Sequence, residues 1–177
     1  MSSAVQDGPD TPTVGTRQRV ARDNHQQVLQ VVQPALAGMM DGSVSTLAPL
    51  FATALATRDS HTAFLVGVAA AVGAGISMAF AEALSDDGSV TGRGNAWARG
   101  LVEGGATLSG GLGHTLPFLL ADVRAALSVA SVVVVVELLL ISWLRFHYFR
   151  MPLLRSALQV VLGGTLVFGA GVLIGSS

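Results

Sequence analysis

Apolar residues run in blocks rather than at spaced intervals, and five blocks approach the roughly 20 residues a helix needs to cross a bilayer. They are about Pro34–Thr57, Thr62–Leu84, Trp97–Leu120, Ala125–Leu144 and Leu154–Ile174. The pattern predicts an all-α membrane protein with five transmembrane helices. Ahead of them, residues 1 to about 23 are polar and carry Gly8, Pro9 and Pro12, which reads as a tail disordered at its start. Asn24–Gln33 mixes Val28, Leu29, Val31 and Val32 with Gln and His, and reads as an interfacial helix leading into the first span. The domain division is a polar tail over residues 1–30 and a five-helix transmembrane domain over 31–177. No apolar run in the first thirty residues suits a cleaved leader.

Charge placement orients the bundle. With the N-terminus inside, the inner segments hold Arg17, Arg19, Arg22, Arg93, Arg99, Arg145, Arg150 and Arg155, and the outer loops only Arg58 and Arg124. Arginine gathers on the cytoplasmic side, so the expected topology is N-in, C-out.

Composition agrees with this class. The chain has 177 residues, is 51% hydrophobic and only 12% charged, and has a mean hydropathy of +0.60, far from the roughly one-quarter charge of soluble domains. Every basic residue is arginine, and Cys is absent, which excludes disulfides, thiolate metal sites and cysteine nucleophiles. A net charge of −1 offers nothing to nucleic acid, and no motif marks an enzyme. The glycines of GGATLSGGLG and GGTLVFGAGVLIG read as close-packing faces, and Gly171–Gly175 as a GxxxG. GGLGHT lacks the lysine of a phosphate loop.

The chemistry lies in charges set inside apolar spans. Asp41 lies in VVQPALAGMMDGSVSTLAPLFATALA, with no other charge until Arg58. An ionised group at that depth costs several kcal/mol and usually faces a polar cavity. Asp41 is seven residues beyond Pro34 and Met78 is six before Leu84, so both fall about 10 Å from the cytoplasmic side. Glu82 is one turn nearer the cytosol on the face of Met78, and Glu137 falls at the depth of Asp41. Three carboxylates and a thioether suit a labile divalent-cation site, with the soft sulfur favouring a transition metal such as Fe²⁺ or Mn²⁺. Gly42 and Pro49 loosen the first helix and free backbone carbonyls. Met39 and Met40 read as packing. Glu103 divides evenly between function and interface. Glu137 could line a path, pair with an arginine or bond at a subunit contact, and His114 could shuttle protons or simply pack.

AGMMDGSVSTLAPLFA followed by VGAGISMAFAEALS resembles the vacuolar iron transporter family, with its Asp-Gly in the first helix and Ser-Met plus a later Glu in the second. GGLGHTLPFLL is similar to the glycine-and-proline segment of that family. The nearest resemblance is to the membrane domain of bacterial membrane-bound ferritins, whose ferritin-like domain is not found in the thirty polar residues before span one. The resemblance implies a five-helix homodimer in the cell inner membrane that moves Fe²⁺, and often Mn²⁺, out of the cytosol in exchange for protons. It assigns Asp41 and Met78 to the path and Glu82 to the acid after Ser-Met. It also implies that Asp41 and Met78 of both copies converge, with the glycine faces packing inside each subunit and span one left at the interface. The metal is cargo, so no resident cofactor is expected. Plant members carry a metal-collecting helical domain between spans two and three, where this chain has only SDDGSVTGRGNAWARG, with Asp86 and Asp87 as its acids. The alternatives are a non-transporting membrane scaffold and a carrier of another small cation.

Overall fold

A computed structural model describes residues 14–89 and 91–176. Among these every regular element is helical, with no strand. The elements are α1 (Val14–Gln27), a π-helical turn (Val28–Val32), α2 (Gln33–Ser45), α3 (Leu47–Thr57), α4 (Ser60–Ser85), α5 (Ala96–Gly113), a 3₁₀ turn (Leu116–Leu119), α6 (Val123–Phe149) and α7 (Leu153–Ser176). Residues 1–13, the start of the expected tail, lie outside the described residues, and the chain is helical from Val14.

Three of these helices are long and apolar enough to cross a membrane: α4, α6 and α7 from Leu154. Their outward residues include Leu65, Ile76 and Phe80 on α4, Val132, Val136 and Leu139 on α6, and Leu158, Leu162 and Leu166 on α7, all exposed. So much contiguous apolar surface is foreign to a water-soluble monomer. Together with the three spans it marks a membrane protein.

The other two expected spans are interrupted. The first breaks at Thr46, between α2 and α3, where the Thr46 N–H bonds to the Val44 carbonyl in a tight turn. Pro49 supplies the cause: it has no N–H to give Ser45, and its ring crowds the Ser45 carbonyl. The third span stops at Gly113, and a short 3₁₀ turn containing Pro117 follows. Helix starts are capped by side chains. Asp59 accepts from Thr62 N at 2.6 Å, Asn95 from Ala98 N at 2.9 Å and Asp122 from Ala125 N at 2.8 Å, each satisfying an end donor that has no intrahelical partner.

Helix α5 is the hub. α2 and α4 each pack along it and touch each other only briefly, while α7 packs on α3 and α6. Missing side chains make this possible. A Cβ on Gly42 would fall 2.0 Å from the Thr107 carbonyl oxygen, and one on Gly104 2.4 Å from that of Gly75. Gly171 and Gly175 seat α7 on Ala48 and Ala52 of α3 in the same way. The glycine faces therefore pack within the chain, as the pattern predicts. Span one is not left bare by this packing, because α5 covers α2 and α7 covers α3. An apolar cluster of Leu47, Leu50, Phe51, Ala54, Ala63, Phe118, Ala126 and Ala130 fills the bundle beyond the break, with Phe51 edge-on to Phe118 and Phe168.

Gly42→Ala should force α2 from α5 and cost about 1–3 kcal/mol, the range for overpacking. Gly73→Ala, where a Cβ meets nothing within 4 Å, should be neutral or stabilising by up to about 1 kcal/mol, because alanine suits a helix better. Thermal unfolding of the two variants in detergent measures the difference, and equal melting temperatures would contradict the packing account.

Candidate functional site

Polar side chains within the bundle gather in three places, two of them buried and anchored on α5. The first is an ionic cluster where α4 ends and α5 begins. Arg99 is fully buried, and its guanidinium donates from Nε to Glu82 Oε1 at 2.7 Å, from Nη1 to the Gly94 carbonyl at 2.9 Å and from Nη2 to the Asp86 carbonyl at 2.8 Å. Arg93 Nη2 lies 2.7 Å from the same Glu82 oxygen. A planar guanidinium presents donors in a fixed fork, so Arg99 joins the end of α4 to the connecting loop. That loop is tight: Gly88 has φ +79°, and a Cβ there would strike the Gly94 carbonyl. Asp86 accepts from the Thr91 hydroxyl and the Gly88 N–H. The Thr91 hydroxyl first, then the Gly88 N–H and the charges of Arg99 and Arg93, hold the Asp86 carboxyl below its ordinary range. Asp87 accepts from Ser89 N.

Glu103, also buried, lies one turn along α5 from Arg99, and Gly38 of α2 closes on its carbonyl. Sequence reading left Glu103 undecided; the structure buries it on α5 where α2 packs.

The second place is mid-bundle. His114, at the end of α5 and fully buried, has Nε2 2.7 Å from Thr46 Oγ1 and Nδ1 3.0 Å from Glu137 Oε2. Thr46 is the residue at the break of span one, and its hydroxyl donates to the Gly42 carbonyl at 2.8 Å. Glycines frame the group. A Cβ on Gly111 would fall 2.9 Å from the Thr46 methyl, and one on Gly113 2.1 Å from Glu137 Oε1.

The third place is a groove of about 590 Å³ between α2, α6 and α7, lined by Asp41, Met40, Arg145 and Gln159 among small apolar residues. Arg145 donates to Gln159 at 3.3 Å. Among the described residues Asp41 makes no hydrogen bond or ion pair, unlike Glu82 and Glu137. Met40 shares the groove with Asp41; Met78, half-buried on α4, does not line it.

The structure thus distributes the four sequence-derived site residues. Asp41 faces the groove, Met78 lies on α4, Glu82 is held by two arginines and Glu137 by His114. No group of three or more His, Asp or Glu that could hold a metal occurs within the chain among the described residues. The Arg99–Glu82 and His114–Glu137 pairs escape sequence reading because each joins different helices. Met40 has one available signal, its position beside Asp41.

No family model, no curated protein and no solved structure matches this chain. The expected resemblance to the vacuolar iron transporters rests on the residues quoted from the first three spans alone.

Arg99→Gln removes the sealed one of the two arginines on Glu82, with its charged hydrogen bonds, and should destabilise by about 2–3 kcal/mol. Arg93→Gln, at a side chain 23% exposed, should cost about 1 kcal/mol or less. Thermal unfolding of both in one detergent checks the order; a milder effect at Arg99 would show that Glu82 does not depend on it.

Proposed function

We propose that the chain is a divalent-cation transporter of the cell inner membrane, carrying Fe²⁺ first and Mn²⁺ next out of the cytosol in exchange for protons, with Asp41 as the central ligand. The observation that carries this reading is Asp41 itself. A half-buried carboxylate in an apolar bundle, without a hydrogen bond or ion pair and open to a groove, requires a cation or a proton to offset its desolvation. Glu82 and Glu137 already have partners, so Asp41 is the groove-facing acid free for exchange. The Met40 thioether in the same groove, with the Gln159 amide oxygen, gives a mixed hard and soft donor set suited to a transition metal. Arg145 on the same wall opposes tight binding, which suits release. Met78 enters this scheme from a second copy, in a homodimer whose paths converge.

The five-span, N-in and C-out topology belongs to the same proposal. It takes α2 with α3 as one broken span, and α5 with its 3₁₀ turn as another. Broken helices are tolerated at membrane depth where neighbours satisfy the freed backbone, as the Thr46 hydroxyl does for Gly42.

A non-transporting scaffold is the second reading. It is favoured by the pairing of Glu82 and Glu137, which fits acids that only hold helices together. Reconstitution separates the two. Asp41→Asn keeps the size and removes the charge, so the folded variant should lose at least tenfold of its metal flux in proteoliposomes; wild-type flux would exclude Asp41 as the ligand. Met40→Leu should narrow the preference for Fe²⁺ over Mg²⁺, with little loss of stability. Met78→Leu should do the same only if two copies share the site. An unchanged competition profile in both variants would make the thioethers packing.

A further inference from the structure

α7 borders a second groove besides the one that holds Asp41. This one, of about 250 Å³, runs between α6 and α7 over the buried ring of Phe51. It extends from Ser131 and Phe168 at one end to Ser142 and Ala157 at the other. Its wall is apolar, because the hydroxyls of Ser131 and Ser142 donate to the Leu127 and Leu138 carbonyls of their own helix. At the helical rise, Ser131 and Ser142 are about 16 Å apart along α6. That is close to half of a hydrocarbon core about 30 Å thick. The groove has the length of one leaflet.

The Ser142 end lies at the edge of the membrane. Trp143, exposed on α6, stacks on His147 with ring centroids 5.4 Å apart, and His147 meets Tyr148 edge-on. Aromatic rings of this kind belong at headgroup level. Two arginines stand at that level. Val135, Leu139 and Ser142 line the groove, and the same spacing of three and four residues continues through Phe146 to Arg150 at the helix end. Arg155 is in the first turn of α7, two residues before Ala157. Both side chains are exposed, and neither forms an ion pair among the described residues, whereas Arg93 and Arg99 are paired with Glu82. Arg145 is bonded to Gln159 in the Asp41 groove. From Leu138 to Ser177 the sequence has no Asp or Glu.

We propose that the α6–α7 groove binds one anionic phospholipid, with an acyl chain along the groove and the phosphate at Arg150 and Arg155. Charge complementarity selects this occupant. Any membrane lipid can lay a chain in an apolar groove, but a zwitterionic head brings its own cation towards the two arginines, and an anionic head does not. Each basic residue near a membrane surface favours an anionic lipid by roughly fivefold. A second copy packed here about an axis along the membrane normal would bring like arginines together, with no acid on α7 or the end of α6 to offset them. The site requires only that the turn between α6 and α7 lie at one membrane surface. Neither metal transport nor the direction of insertion enters it.

Trp143 reports on the site once Trp97→Phe leaves it as the only tryptophan. That protein, delipidated in mild detergent, is titrated with phosphatidylglycerol or phosphatidylcholine carrying brominated acyl chains, and quenching of Trp143 fluorescence reads the apparent affinity of each. Phosphatidylglycerol should bind at least about fivefold more tightly. Arg150→Gln with Arg155→Gln should remove the preference while phosphatidylcholine still quenches. Arg150→Lys with Arg155→Lys should keep it, because an ammonium also binds phosphate. Val161→Phe, which fills the groove, should weaken quenching by both lipids. Equal affinity for the two lipids before any arginine is changed means an ordinary lipid boundary and overturns the site, as does a preference that survives loss of both arginines. Affinities that Val161→Phe leaves untouched overturn the groove as the seat of the acyl chain. Quenching by neither lipid, with Trp143 shielded in a dimer, overturns the lipid in favour of a second copy.

Discussion

A charge buried among apolar helices must find its partner inside the protein, and most of this structure follows from where Arg99 finds one. Its guanidinium is sealed from solvent and divides its donors among Glu82, the Asp86 carbonyl and the Gly94 carbonyl. That arrangement fixes the angle at which α4 leaves and α5 enters, and lays α5 along α4 for its whole length. Were Glu82 removed, the sealed guanidinium would keep only the Asp86 carboxylate, 3.7 Å away, as its counter-charge.

With α5 so placed, the glycines on its faces decide what approaches it. Gly100, Gly104 and Gly111 admit α4, while Gly38 and Gly42 of α2 close on the carbonyls of Glu103 and Thr107. In a membrane the apolar effect gives helices little reason to associate, so close backbone contact and interhelical polar bonds supply the specificity. His114 adds such a bond at the other end of α5, joining the break of span one to α6. Once these contacts are made, Asp41 is the carboxylate left facing a groove with no partner.

The spans α4, α6 and α7 were legible because each is a long unbroken apolar run, and the glycine faces because their spacing is local. The weakness of span one was also legible in Gly42 and Pro49, although the position of the break, at Thr46, depends on which carbonyl the proline ring crowds. Depth along a helix was readable too, but azimuth was not. Asp41, Glu137 and Met78 at similar depths suggested one layer, yet α5 stands between α2 and α4, and Glu137 turns towards His114. Pairings over 17 and 23 residues, such as Glu82 with Arg99 and His114 with Glu137, depend on how helices pack and leave no trace in local spacing. Met40 was set aside as packing because nothing in the sequence shows which face of α2 opens onto a groove.

The central claim is that the groove-facing acid, Asp41, serves a moving cation. Its most direct test is flux by the wild-type protein in proteoliposomes, with Fe²⁺, Mn²⁺, Co²⁺ and Zn²⁺ offered at two pH values. The account predicts saturable Fe²⁺ and Mn²⁺ movement that changes with the proton gradient. Vesicles with correctly folded protein that pass none of the four metals faster than protein-free vesicles would contradict it.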